Sequence, residues 1–223
     1  MEIDDAWHDR LGWAFDLIAE DATDRFRAHA RLMETQRLCI EALQRFNQVF
    51  YEREHPEYRH RLATWQQARR GTLPDALWEN VDPRTLAAWA GLPYALLYLR
   101  WEALFPDEWF AYAKGWGTKQ VLLSLFTRGS NDVPGSVVHQ LIDLVVLAAR
   151  REHRCEDVGY ARLARVLDRP HLRARLAAVA EQPIEPARLR AGYLLWLLDH
   201  PDAPHPKKSQ WLSWLSAQDS RPS

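Results

Sequence analysis

From Trp13 to Tyr51 the chain runs without a glycine or proline, and its apolar residues recur there at helical spacing. Elsewhere the 13 prolines and 9 glycines fall where helices should start or stop rather than inside them. That punctuation predicts an all-α chain, an irregular multi-helix bundle. Residues 4–20 place Trp7, Leu11, Phe15 and Ile18 on one stripe. Phe26, Ala30, Met33, Ile40, Leu43 and Phe50 continue a helical spacing to about Glu54. The two form one long helix or two helices joined near Asp21 to Thr23. Pro56 opens and Gly71 closes a further helix, and Pro83 and Gly91 repeat that pairing of proline at the start with glycine at the end.

Between Leu86 and Phe126 the aromatic residues are densest, among them Tyr94, Tyr98, Trp101, Trp109 and Phe126, and this stretch should form the core. Thr118 reads as the N-cap of a helix to about Arg128, and Ser136 as the cap of a helix apolar on nearly all sides, which other helices should surround. The intervening loop, Gly129 to Gly135, is the clearest break. A single helical domain over 1–223 is expected, with that loop as its one subdivision. Further on, Gly159-Tyr160 leads to Leu167-Asp168-Arg169-Pro170 and Gly192-Tyr193 to Leu198-Asp199-His200-Pro201. This offset is close to the period of helical-pair repeats, so the second half has an α-solenoid-like signature in two copies.

At 223 residues, with 47% hydrophobic and 26% charged residues, the composition excludes a disordered or collagen-like chain. The longest apolar run is broken by His139, Gln140 and Asp143, so no membrane span is expected, and the N-terminus lacks the pattern of a signal peptide. Two cysteines are too few for a disulfide scaffold, and a cytoplasmic location is the default. A net charge of −1 supplies no whole-protein field toward nucleic acid or lipid. Arginine outnumbers lysine 25 to 4, which reads as the codon bias of a GC-rich, bacterial genome.

Motifs of catalysis are absent: no phosphate-binding G-x-x-x-x-G-K-[ST] loop, nucleophile elbow or H-E-x-x-H. No catalytic residue, cofactor or metal site is therefore expected. The nearest approach to an anion cradle is Lys114-Gly115-Trp116-Gly117-Thr118-Lys119, two glycines before a helix start with a lysine on either side; its plainer reading is a turn between aromatic helices. His139 and Asp143 stand four apart on one helix face, suited to acid–base work or to tying two helices together. Residues 152–157, and His55, Glu57 and His60, gather metal-ligand residue types without a ligand spacing. Thr85 to Trp101 resembles a helix-turn-helix in the order of its apolar residues, but its second helix, Tyr94 to Trp101, has almost no polar side chain for DNA and reads as buried.

Charge separates along the chain, with an excess of acid in residues 1–24 and of arginine in residues 150–190. Arg162, Arg165 and Arg169 fall at i, i+3 and i+7 and predict one basic helical face. Polar residues are dispersed while aromatic ones are concentrated, and the 11 tryptophans suit interface hot spots. The sequence thus points to a non-enzymatic protein that binds another protein, as an inhibitor, immunity-type protein or scaffold. Arg162, Arg165, Arg169, Lys114, Trp116 and Lys119 are its expected contact residues. The alternative is a nucleic-acid-binding protein using the arginine face.

Overall fold

A computed structural model of the chain describes residues 4–78, 81–113, 115, 117–151, 157–204 and 206–219. Among the described residues all regular structure is helical, as the glycine and proline punctuation requires. Two compact units are formed, one from Met1–Asn80 with Trp89–Thr118, the other from Val81–Ala88 with Lys119–Ser223.

The first unit begins with α1 (Asp5–Leu11), capped by the Asp4 carboxylate accepting from the Trp7 amide, and continues as a 3-10 helix, Gly12–Ile18. Tightening to three residues per turn changes which side chains face inward. Leu11, Ala14 and Leu17, three apart, are buried, whereas Phe15 and Ile18 of the expected stripe are only half-buried. The chain then breaks at Asp21, whose side chain accepts from the Thr23 amide at 2.7 Å and starts α2 (Ala22–Asn47). That hydrogen bond holds the Asp21 carboxyl below its ordinary range. Helix α3 (Tyr58–Arg70) folds back on α2 and ends at Gly71. Pro56 lies two residues before it rather than at its first position. Gly91 precedes α4 (Leu92–Leu104) and so begins a helix instead of closing one. Eleven residues of α4 are buried, Tyr94, Tyr98 and Trp101 fully, which makes it the core of this unit. Trp7 stacks on Tyr94 with ring centroids 5.5 Å apart. Helix α5 (Pro106–Tyr112) follows after one residue and packs on α4 and α2.

The second unit contains a 3-10 helix, Pro83–Ala88, then α6 (Thr118–Gly129, entering the unit at Lys119), α7 (Gly135–Arg150), α8 (Val158–Val166), α9 (Pro170–Ala180), α10 (Glu185–Asp199) and α11 (Lys208–Asp219). The loop at 129–135 lies inside this unit, between α6 and α7. Pro134, not Ser136, holds the N-cap position of α7. Nine residues of α7 are buried, and α8, α9 and α10 all pack against it. Because α10 also packs on both α8 and α9, these helices close into a cluster rather than extend as a line of repeats. The two repeated Leu-Asp segments end α8 and α10, and their aspartates meet: Arg173 donates to Asp168 at 2.6 and 2.9 Å and to Asp199 at 2.5 Å.

Candidate protein-interaction surface

Helix α2 carries apolar residues on two sides. The inner side buries Ala28, Leu32, Cys39, Ala42 and Phe46, together with His29, against neighbouring parts of the first unit. Across the helix, Phe26, Met33 and Ile40 stand in solvent with 70%, 48% and 55% of their surface exposed, and Ala30 between them is exposed as well. Phe26, Ala30, Met33 and Ile40 of the stripe read from the sequence therefore face out, while Leu43 is half-buried. Periodicity establishes that a stripe exists but not what covers it. At the tip, where α2 turns toward α3, Tyr51 is 92% exposed and Phe50 nearly half exposed. Phe50 packs edge-on to Phe46, which itself stacks on Trp65 at 5.4 Å, so the tip is anchored from below.

Charges border the outer stripe. Arg37 donates to Glu34 at 2.9 and 2.8 Å and also pairs with Glu41, while Arg27 pairs with Asp24 at 2.9 Å. These hydrogen bonds hold the Glu34 carboxyl below its usual range. Exposed pairs of this kind are screened by solvent and remain able to exchange partners. The face as a whole is a narrow apolar seam with a mixed charged border, the surface chemistry of a helix that meets another helix.

The residues singled out from the sequence are dispersed. Lys114 and Trp116 lie outside the described residues, as do Glu152 to Glu156. Lys119 is buried, and its ammonium sits 2.6 Å from Asp157. The loop before it is shaped by packing: a side chain on Gly115 would meet Pro74 and Thr118 at 2.7 Å, and Gly117 takes a left-handed φ of 71°. The Thr118 hydroxyl accepts from the Trp78 indole at 3.0 Å. The basic face expected from three arginines is also divided. Helix α8 ends at Val166, so Arg169 falls beyond it, at the N-cap of α9. Arg165 reaches the carbonyls of His200 and Pro204 at 3.2 and 3.4 Å, pinning the segment after α10, whereas Arg162 and Arg169 remain exposed. His139 and Asp143 are both exposed on α7; Asp143 pairs with Arg175, and His139 meets His171 edge-on at 5.6 Å. That arrangement ties α7 to α9. The His55 ring accepts from the Glu57 amide and Glu57 pairs with Arg61, so this cluster is spent on starting α3.

Two polar clusters went unread in the sequence because their members are far apart along the chain. In the second unit Arg151 grips both oxygens of Asp157, at 2.9 and 2.8 Å, beside Lys119, and the Tyr160 ring lies 5.3 Å from the Lys119 ammonium. Burial pushes the Asp157 carboxyl up, but the Arg151 hydrogen bonds and the Lys119 charge outweigh it and hold the group below its ordinary value. In the first unit His29, stacked on Tyr112 at 4.4 Å, lies 3.3 Å from Glu108, which Arg25 also approaches at 3.3 Å. Burial is the main cause that lowers the His29 imidazole, opposed by Glu108 and aided by Arg25. Each cluster joins helices. An open groove of about 660 Å³, bordered by Arg10, Arg31, Leu38, His60 and Gln67, runs beside α2. Arg10 there is already held by the carbonyls of Ala6 and Arg70. No group of three or more metal-ligating side chains is found among the described residues, and no described helix is long and apolar enough to cross a membrane.

Comparison with known protein families, with characterised proteins and with solved structures finds no match to this chain.

Proposed function

We propose that this chain is a non-enzymatic helical protein that binds another protein, in an inhibitor, immunity-type or scaffold role, and that it does so through the outer face of α2. One observation carries the reading: Phe26, Met33 and Ile40 recur at seven-residue intervals on a side of the helix where, among the described residues, all three stand exposed. A folded protein gains nothing for its own core from a solvent-facing phenylalanine, methionine and isoleucine in one row, whereas a partner helix laid along them removes that surface from water. Of the tryptophans, Trp7, Trp101, Trp109 and Trp214 are buried, whereas Trp78 is 42% exposed. The proposed contact is centred on α2, where the exposed apolar row lies.

Placing a photoreactive amino acid at position 33, with a matched protein carrying it at the exposed Arg162 position, tests the proposal in the native host. A discrete protein adduct is expected at position 33 only. Failure to form one, or the same adducts from both positions, overturns it.

A further inference from the structure

The outer face of α2 has a register that fits one occupant in particular, and we propose that it is a second copy of the same helix, packed antiparallel. This rests on the protein-binding reading above and names its partner. Phe26, Met33 and Ile40 occupy one seam position of a heptad, and Ala30, Arg37 and Gln44, all exposed, occupy the other. The positions that would point away from a coiled-coil partner, Ala28, Thr35 and Ala42, lie on the side turned toward the chain's own fold, where Ala28 and Ala42 are buried. The helix is thus divided between an inner side that holds the unit together and an outer seam with coiled-coil spacing.

Charge then sets the direction. In a parallel pair each Arg37 would face Arg37 of the other copy within the seam, setting like charge against like. Reversing one helix removes that clash. Ala30 then lies opposite Ile40 of the second copy, small against large, and Met33 packs along the aliphatic stem of Arg37. On the charged border Arg27 comes beside Glu41 of the other copy, twice by symmetry. The two Glu34 carboxylates meet near the axis, flanked by the two Arg37 guanidinium groups that already hold them at 2.8 to 2.9 Å. A seam from Phe26 to Ile40 is about 21 Å long. Its three large side chains leave roughly 300 Å² of apolar surface, below the about 800 Å² per partner of a standard interface. The dimer is accordingly a weak and reversible one that dissociates on dilution.

Sedimentation equilibrium on the full chain, over a wide range of protein concentrations, measures this directly. Concentration-dependent dimer is expected, and Ile40→Ser should weaken it by about tenfold or more while leaving the circular dichroism melt unchanged. Arg27→Glu, which sets Glu against Glu41, should weaken the dimer by about tenfold, and the double variant Arg27→Glu with Glu41→Arg should restore it. A chain that stays monomeric throughout, or a double variant as weak as the single one, overturns the antiparallel pairing. The adduct at position 33 separates the two claims. An adduct of twice the chain mass supports the second copy; an adduct with a different protein, from a monomeric chain, refutes the self-pairing and retains the protein-binding reading; no adduct removes both.

Discussion

Replacing Asp157 by Asn should destabilise the second unit by about 3–5 kcal/mol, the cost of breaking a buried ion pair from one side. The structure supports the upper part of that range. The carboxylate is held by three hydrogen bonds of 2.6 to 2.9 Å from two cations, and the side chains of Lys119, Arg151 and Asp157 are 2%, 9% and 9% exposed. The Asn amide oxygen can still accept from Lys119 and Arg151, but its NH2 group would face the second Arg151 donor, and it supplies no charge to either cation. Domains of this size have only about 5–15 kcal/mol in total, so the loss should show as a large shift of the denaturant midpoint. The sign of the pH dependence follows from the lowered Asp157 value: its contribution is complete above the ordinary carboxyl range near 3.8 and is lost as pH falls through the folded value. The gap between wild type and Asp157→Asn should therefore be wide at neutral pH and close in strong acid. Added salt should change it little, because the pair is shielded from solvent ions. Melts by circular dichroism across pH decide the matter. An unchanged midpoint at neutral pH, or a gap that persists in strong acid, would refute the argument that the carboxylate charge holds these helices.

Trp101→Ala should cost about 3–5 kcal/mol in denaturant melts, since Trp101 is fully buried in α4. Protonation of His29 opposes folding because its folded value lies below the ordinary 6.5, so stability should fall as pH drops below about 6.5; a His29→Phe variant should lose less over the same interval. Arg165→Ala should lower the melting temperature more than Arg162→Ala or Arg169→Ala, because only Arg165 of the three reaches backbone carbonyls, and equal melts for all three would argue against that role. Weak or absent retardation of DNA and RNA at low salt should accompany this, as the divided arginines do not form the continuous basic face that phosphate binding uses.

The helices were legible because their signals are local. Asp21, Gly71 and Pro170 mark ends by the chemistry of one or two turns, and a reader of the sequence needs nothing distant to find them. The burial of α4 was legible for a related reason, since Tyr94 to Trp101 is apolar apart from Arg100, which is exposed, and so has almost no outward face to choose. The direction of α2 was not. Its two apolar stripes have the same period, and the choice between them is made by the elements that pack on α2, the 3-10 helix Gly12–Ile18 before it and α3 and α5 after it. A signal was nevertheless present: the outer stripe repeats every seven residues and carries Arg37 and Gln44 along its seam, where the inner one fills with Ala, Leu, Cys and Phe. Lys119 shows the same limit in a charged residue. Its sequence neighbours point to a phosphate loop, while the partner that defines it, Asp157, lies 38 residues away.

These cases explain where the surface chemistry ended up. Arg151, Arg165, Arg173 and Arg175 all spend their guanidinium groups on carboxylates or carbonyls within the second unit. An arginine excess read as a binding surface is thus partly consumed by joining helices, and of the three arginines expected to form one face Arg162 and Arg169 are exposed but separated by the end of α8. Apolar residues follow the opposite course on α2, where a row of large side chains is left in water. Burying a Phe, Met or Ile costs the chain nothing electrostatically, so leaving all three outside in register forgoes stabilisation that a simple rotation of the helix would have recovered. That rotation would expose Leu32 and Phe46 and turn Arg37 and Gln44 inward together with the Glu34 and Glu41 carboxylates that pair with Arg37, and desolvating that charged set costs more than covering Ile40 gains. The polar members of the outer seam thus fix which stripe stays outside, and by doing so they keep Phe26, Met33 and Ile40 available to another helix.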